Sequence, residues 1–107
     1  MAAAPTEEEI QKLRETHGRI EVVTGKGGAW VVVYRKPTRA EYKRFRAMSH
    51  RPEAVADAQE ALARSCAVFP AKAEYDALLE DYPAIPEASG KALGDLAGIS
   101  AEETGKD

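Results

Sequence analysis

Two runs of β-branched and aromatic residues, at 20–24 and 29–35, are separated by the turn sequence Gly-Lys-Gly-Gly at 25–28. Such runs favour extended strands, and glycine permits the positive φ angles that a tight turn requires. The pattern predicts a β-hairpin over residues 20–35. This hairpin constrains the fold most, because two strands alone are only marginally stable and must pack on helices or pair with another chain.

The second strand of the predicted hairpin is apolar on both faces. Alternation along a strand places Trp30, Val32 and Tyr34 on one face and Val31 and Val33 on the other. The helices of this chain are expected to cover only one face. We therefore expect the face of Trp30, Val32 and Tyr34 to stay uncovered and to bind protein, either a second copy of the chain or a helical partner. The alternative is that Trp30 lies in the core of the monomer.

Helix signals flank the hairpin on both sides. Thr6 with Glu9 and Thr38 with Glu41 have the spacing of capping boxes, which mark helix starts. Apolar spacing then predicts helices over residues 7–17, 38–48, 53–66, 73–82 and 87–97. The expected fold class is α+β and mostly α-helical, with one β-hairpin at 20–35 packed on about five short helices.

The length of 107 residues corresponds to one domain. We expect residues 1–18 to form an N-terminal helix that can be mobile, residues 19–99 to form a single globular domain, and residues 100–107 to be a flexible tail. The chain has one cysteine and no apolar run long enough to span a bilayer, and we expect no secretory leader, because residues 1–9 lack a basic start and an apolar stretch. These features predict a cytoplasmic location.

Charge is distributed unevenly along the chain, although the net charge is only −3. Residues 35–51 carry seven basic side chains and one acidic side chain, whereas residues 52–107 carry four basic and twelve acidic side chains. This polarity suits head-to-tail contact between copies or contact with a charged partner. The alternative is that the two segments face each other or solvent.

A candidate binding surface lies on the predicted helix at 38–48. Arg39, Lys43, Arg46 and His50 recur at helical spacing and form a basic stripe beside Tyr42. Such a stripe can dock an acidic protein, follow a nucleic-acid backbone or only face solvent. We assign Arg39, Lys43 and Arg46 to protein binding, because the net negative charge of the chain argues against a dedicated nucleic-acid binder.

The sequence shows no recognisable catalytic or metal-binding set. His17 and His50 lack metal-ligand spacing. Cys66 shares a predicted helix face with Val55, so we expect a buried and unreactive thiol. The glycines at 25–28 precede a strand instead of a helix, which does not match a phosphate-binding loop. We therefore expect no enzyme activity, no cofactor and no metal.

Several short motifs follow one another between residues 28 and 99. PTRAEY at 37–42 opens one helix, CAVFP at 66–70 ends the next, and LLEDYP at 78–83 precedes a final helix that ends at Gly98. This series resembles the small tail-assembly chaperones of long-tailed bacteriophages and prophages. In that family a strand and an R-P-(S/T)-x-x-E-(Y/F) helix start precede a C-x-V-x-P helix end, an L-L-x-x-(Y/F)-P segment and a closing helix that ends in glycine.

The resemblance implies a non-enzymatic chaperone that binds the tape-measure protein, a long helical protein. It also implies that the chaperone helps recruit tail-tube subunits in the cytoplasm of the bacterial host. Such a chaperone leaves before the tail is complete.

Two other functions remain open from the sequence. A small virion structural protein, such as a connector or tail-completion protein, would be retained in mature particles, whereas a chaperone would be absent from them. A nucleic-acid-binding accessory protein would use Arg39, Lys43 and Arg46, and its affinity would fall steeply as the salt concentration rises.

Overall fold

The computed structural model describes residues 4–99, and the flexible tail predicted at 100–107 lies outside them. Helices surround a three-stranded sheet, which confirms the predicted α+β class. The helices are α1 (Glu7–His17), α2 (Arg39–Ser49), α3 (Val55–Cys66), α4 (Lys72–Asp81), α5 (Ile85–Ala88) and α6 (Gly90–Ala97). The strands are β1 (Ile20–Gly25), β2 (Trp30–Arg35) and β3 (Ala67–Phe69).

The hairpin forms where the sequence predicts it. Strands β1 and β2 are antiparallel, with Val22 opposite Val33, and a short 3₁₀ turn at Lys26–Gly28 joins them. Gly27 and Gly28 have φ angles of 61° and 93°. Residues with a side chain rarely adopt such angles, which explains the glycines of this turn.

A third strand completes the sheet, although the sequence analysis does not predict it. Strand β3 pairs antiparallel with β2, so the strand order is β1-β2-β3 and β2 is central. β3 has only three residues and follows α3 directly. A segment this short shows no alternating pattern that would distinguish it from the end of a helix.

The first two helices begin where the capping boxes predict. Thr6 Oγ1 accepts a hydrogen bond from the Glu9 amide at 3.1 Å, and the Glu9 carboxylate accepts one from the Thr6 amide at 2.8 Å. Thr38 and Glu41 form the same pair of bonds at the start of α2. Within residues 4–99, no helix is long and apolar enough to cross a membrane.

The helix predicted at 87–97 is instead two helices, α5 and α6, with Ser89 between them. The Ser89 hydroxyl donates to the Ile85 carbonyl oxygen at 2.8 Å. Bonds of this kind, from a serine to the carbonyl four residues earlier, bend helices. The described part of the chain therefore has six helices where about five were expected.

The sheet face that carries Trp30, Val32 and Tyr34 is covered by the protein itself. Helices α3 and α6 pack on the sheet and α5 packs on both of them. The three side chains are 4%, 0% and 0% exposed and share one core cluster with Leu62 and Leu93. The expectation that this face stays uncovered for a partner is therefore wrong, because α3, α5 and α6 together supply enough apolar side chains to cover it. Trp30 lies in the core of the monomer.

The opposite face of β2 is covered as well, since Val31 is 7% exposed and Val33 is fully buried. Helix α1 contacts β1, and its half-buried residues are Ile10, Leu13 and His17. No residue of α1 is fully buried. Helix α1 therefore has only a narrow half-buried side.

A chain of hydroxyl groups crosses the core. Because the Ser89 proton is donated to the Ile85 carbonyl, Ser89 Oγ accepts from the Tyr34 hydroxyl, which lies 2.7 Å away. The Tyr34 oxygen in turn accepts from the Tyr75 hydroxyl at 3.4 Å. Burial raises the pKa of both tyrosines, so both hydroxyls keep their protons. The chain links β2, α4 and the junction of α5 and α6.

Tyr34→Phe should destabilise the protein by about 1–3 kcal/mol, because it leaves the buried Tyr75 hydroxyl without its acceptor and Ser89 without its donor. Tyr75→Phe should cost less, because Tyr34 still donates to Ser89. The double variant should be no less stable than Tyr34→Phe alone, since it removes the orphaned hydroxyl. Urea unfolding of the four proteins measures these differences, and equal, additive losses would contradict the donor order.

Candidate functional site: a basic groove and an apolar cleft

A groove of about 630 Å³ runs beside α2. Arg39, Lys43 and Arg46 lie on one side of this helix and line the groove. The lining is completed by residues before α2, on α2, just after it and at the end of α6, namely Lys36, Pro37, Thr38, Tyr42, Ala47, His50 and Ala97. We call this surface the basic groove.

The positive charge of the basic groove is not neutralised by its surroundings. Lys36, Arg39, Lys43 and Arg46 are exposed, and none of them belongs to an ion pair found within residues 4–99. No described aspartate or glutamate lines the groove. A concave surface lined by one sign of charge attracts ligands of the opposite sign.

Arg35 fixes the position of α2, and with it the basic groove. Its guanidinium binds both carboxylate oxygens of Glu41, at 2.9 Å and 2.8 Å, and also donates to the Ser65 carbonyl oxygen at 2.9 Å. These bonds join the end of β2, the first turn of α2 and the end of α3. The hydrogen bonds from Arg35 lower the pKa of Glu41 from 4.5 to about 2. The one carboxylate of α2 is thus occupied by Arg35.

Glu41→Gln should destabilise the protein by about 1–3 kcal/mol at neutral pH, because it removes a charged acceptor although glutamine can still cap α2. Since the pKa of Glu41 is lower in the folded than in the unfolded chain, the stabilisation is complete above about pH 4.5. It is lost as the pH falls from there to about 2. Urea unfolding of wild type and variant across this range measures the difference.

Asp76→Asn provides the matched control for Glu41→Gln. The Arg64–Asp76 pair has a similar bond length, 2.9 Å, but both side chains are 49% exposed. Because solvent screens exposed pairs, its removal should change stability less than Glu41→Gln does. A loss in Glu41→Gln that persists unchanged at pH 2 would contradict the role of the charged pair.

An apolar cleft of about 460 Å³ lies at the other end of β2. Trp30 and Tyr82 line it together with Pro83, and the remaining lining residues are Thr24, Gly25, Asp81, Ala84, Ile85 and Ala88. The Trp30 ring lies against residue 25, where a Cβ atom would come within 2.3 Å of the indole. Glycine at this position therefore permits the indole position that shapes the cleft.

The structure separates the six side chains that the sequence assigns to protein binding. Arg39, Lys43 and Arg46 come together in the basic groove. Trp30 lines the apolar cleft from within the core, whereas Val32 and Tyr34 are fully buried and line neither surface.

Sequence reasoning missed other residues of both surfaces. It overlooked Tyr82, Pro83 and Ala84 in the cleft and Lys36 in the groove, whereas His50, predicted as part of the basic stripe, lines the groove. The LLEDYP motif was a signal for the first two, since Tyr82-Pro83 ends it.

Cys66 is fully buried, as predicted. Burial raises the pKa of its thiol from 9.0 to about 11. Val55, which was expected on the same buried face, is 40% exposed, because it is the first residue of α3. Within residues 4–99, no three histidine, cysteine, aspartate or glutamate residues are grouped as metal ligands.

A thiol reagent should modify native Cys66 at least about a hundredfold more slowly than a free cysteine at neutral pH. The raised pKa alone lowers the thiolate fraction by about that factor, and burial blocks access of the reagent. Labelling in urea, where the chain is unfolded, should restore the ordinary rate. Fast labelling without urea would show that Cys66 is accessible.

Comparisons with other proteins bear on the fold and the family. A family model described as "Domain of unknown function (DUF6848)" matches residues 7–106. The structure of the uncharacterised protein rbstp2171 from Bacillus stearothermophilus is similar, with a TM-score of 0.69 and 22% identity over 89% of this chain and 97% of that chain. At this identity the likeness concerns the fold alone. No curated protein matches the chain.

Proposed function

Since the chain belongs to the DUF6848 family, a domain of unknown function, we propose its function from its own residues. It is a non-enzymatic tail-assembly chaperone of a long-tailed bacteriophage or prophage and acts in the cytoplasm of the bacterial host. It binds the tape-measure protein and helps recruit tail-tube subunits. The resemblance of residues 28–99 to the chaperone family supports this proposal.

The observation that carries the proposal is the apolar cleft. Tyr82 and Pro83, which end the LLEDYP motif, line the cleft beside Trp30. The rim residues Pro83, Ala84 and Ala88 are exposed, so the cleft opens to the surface. Residues that carry the family resemblance therefore also build a surface on which a partner can dock.

The cleft suits a large apolar side chain presented by a helical partner. Aromatic and aliphatic anchors that fill such clefts supply much of the binding energy in protein interfaces. A cleft of about 460 Å³ accepts only a few side chains, so a single contact is weak and dissociates quickly. A chaperone that must leave before the tail is complete requires contacts of this kind.

Nucleic-acid binding is the second candidate function, and the basic groove is the observation that favours it. Its four cations line the groove together with Tyr42 and can follow a phosphate backbone. We rank this function second because exposed carboxylates cover other parts of the same small molecule, for example Glu74 and Glu80 on α4. They repel a long polyanion that extends beyond the groove.

Ala84→Glu tests the cleft without disturbing the core, because Ala84 lines the cleft and is exposed. The wild-type chain should co-purify with the tape-measure protein of the same phage or prophage when both are expressed in bacteria. The variant should bind at least about tenfold more weakly, since docking would bury an unpaired carboxylate. Ala56→Glu, at an exposed position of α3, should bind like wild type.

Thermal unfolding of both variants checks that each remains folded. The proposal is wrong if the wild-type chain does not co-purify with the tape-measure protein, or if the two variants bind equally. Retention of the chain in purified mature virions would support the structural role instead. Oligonucleotide binding that weakens steeply with salt and requires Arg39 and Lys43 would support the nucleic-acid role.

A further inference from the structure

Helix α6 is followed by a tight turn that fixes the position of residue 99. The Gly98 amide donates to the Asp95 carbonyl oxygen at 3.1 Å, and the Ile99 amide donates to the Gly94 carbonyl oxygen at 2.8 Å. This pair of bonds is the Schellman motif, which ends a helix and redirects the chain. The Ile99 side chain lies on Gly94, where a Cβ atom would come within 2.7 Å of it. The backbone and the side chain of Ile99 are therefore both held against α6.

Ile99 lies next to one wall of the basic groove. It lines a small cavity of about 90 Å³ together with Tyr42 and Phe45 of α2. Tyr42 also lines the basic groove, and so does Ala97, two residues before Ile99. The chain therefore continues past Ile99 from a point beside the groove.

The segment that continues from this point is acidic. Residues 100–107 contain Glu102, Glu103 and Asp107 against one basic residue, Lys106. We call residues 100–107 the acidic tail. The tail has no large apolar residue with which to attach to the protein, so charge is the means of attachment that its sequence offers.

The glutamates of the acidic tail are close enough in the chain to reach the groove. An extended chain advances at most about 3.6 Å per residue, so Glu103 is no farther than about 15 Å from Ile99. Arg39 and Arg46 lie about one helical turn before and after Tyr42, which is about 5–6 Å along the axis of α2. Contact between the tail and these cations therefore needs no second copy of the chain.

The described residues supply no negative charge to the basic groove. No aspartate or glutamate within residues 4–99 lines it, and Glu41, the one carboxylate of α2, is held by Arg35. Arg39, Lys43 and Arg46 are exposed and belong to no ion pair found in this part of the chain. The groove and the acidic tail are thus complementary in charge and adjacent in the chain.

We propose that the acidic tail binds in the basic groove of its own copy and shields the groove from other anions. The proposal goes beyond the chaperone function and does not depend on it, because it requires no other protein. A tethered segment has an effective concentration of about 1 mM, so even a weak contact is populated. Any other anion must displace the tail, and its apparent affinity falls with the fraction of molecules whose groove is free.

Nuclear magnetic resonance of the full chain tests the contact. The tail variant carries Glu102→Gln and Glu103→Gln, which removes two negative charges. At about 50 mM salt, its backbone amide signals should differ from those of wild type at Lys43, Arg46 and Ala97. The differences should disappear at about 500 mM salt, because salt screens exposed charges. Signals of these three residues that are identical in the two proteins at low salt would overturn the proposal.

The groove variant, Arg39→Gln with Lys43→Gln, gives the reciprocal test, and both substitutions are at exposed positions. It should shift the amide signals of Glu102 and Glu103 at low salt. A dilution of about tenfold should leave the wild-type signals unchanged, because a contact within one copy does not depend on concentration. Tail signals that move on dilution would show that a second copy supplies the tail, and this would overturn the proposal.

Competition with a hexaglutamate peptide measures how well the acidic tail shields the groove. At about 50 mM salt, the tail variant should bind the peptide about threefold more tightly than wild type, because two exposed ion pairs no longer hold the tail in the groove. The groove variant should bind the peptide more weakly than wild type does, since it lacks two of the cations.

Glu74→Gln with Glu80→Gln is the matched control for the tail variant. It changes the net charge by the same amount, at exposed positions of α4, and no residue of α4 lines the groove. This control should bind hexaglutamate like wild type and leave the signals of the groove unchanged. An equal gain in affinity in the control and the tail variant, or no gain in the tail variant, would show that the tail does not shield the groove.

Discussion

Strand β2 is buried on both faces from Trp30 to Tyr34, and this constraint organises the rest of the protein. Such a strand needs a partner on each edge and cover on each face. Because Tyr34 is one of its residues, the strand also carries a hydroxyl group into the core. An unsatisfied hydroxyl there costs about 1–3 kcal/mol. Ser89 supplies the acceptor at 2.7 Å, and its own bond to Ile85 bends the chain between α5 and α6.

The two ends of β2 position the two candidate surfaces. At its last residue, Arg35 binds Glu41 and the end of α3, which sets the direction of α2 and the position of the basic groove. At its first residue, Trp30 forms the inner wall of the apolar cleft. A strand advances about 3.4 Å per residue, so these two residues are about 17 Å apart. A partner that used both surfaces would have to span at least this distance.

Features that depend on neighbouring residues were predictable from the sequence. The glycines at 25–28 and the pairs Thr6–Glu9 and Thr38–Glu41 specify a turn and two helix starts by short-range hydrogen bonding and backbone geometry. The stripe from Arg39 to Arg46 follows from helical spacing alone. Each of these signals lies within a few residues, where the rules for turns, caps and periodicity apply directly.

Features that depend on distant residues were not predictable in the same way. The sequence shows that β2 is apolar on both faces, but the number of helices that return to cover it is decided by tertiary packing. The cleft requires Gly25 and Trp30 to meet Tyr82, which is more than fifty positions away in the chain. Strand β3 exists because β2 offers it an edge. Residues without a charged or reactive group, such as Pro83, therefore become part of a candidate binding surface only through the tertiary fold.

The basic groove and the apolar cleft would bind their partners by different interactions. Salt therefore affects binding at the two surfaces differently. Contacts in the basic groove depend on charges that remain exposed, so a partner associates with the groove quickly and its affinity falls as the salt concentration rises. Contacts in the cleft depend on the apolar area removed from water around Trp30 and Tyr82, which salt hardly weakens. In the proposed chaperone, a rise in salt would therefore weaken docking in the basic groove and leave docking in the apolar cleft nearly unchanged.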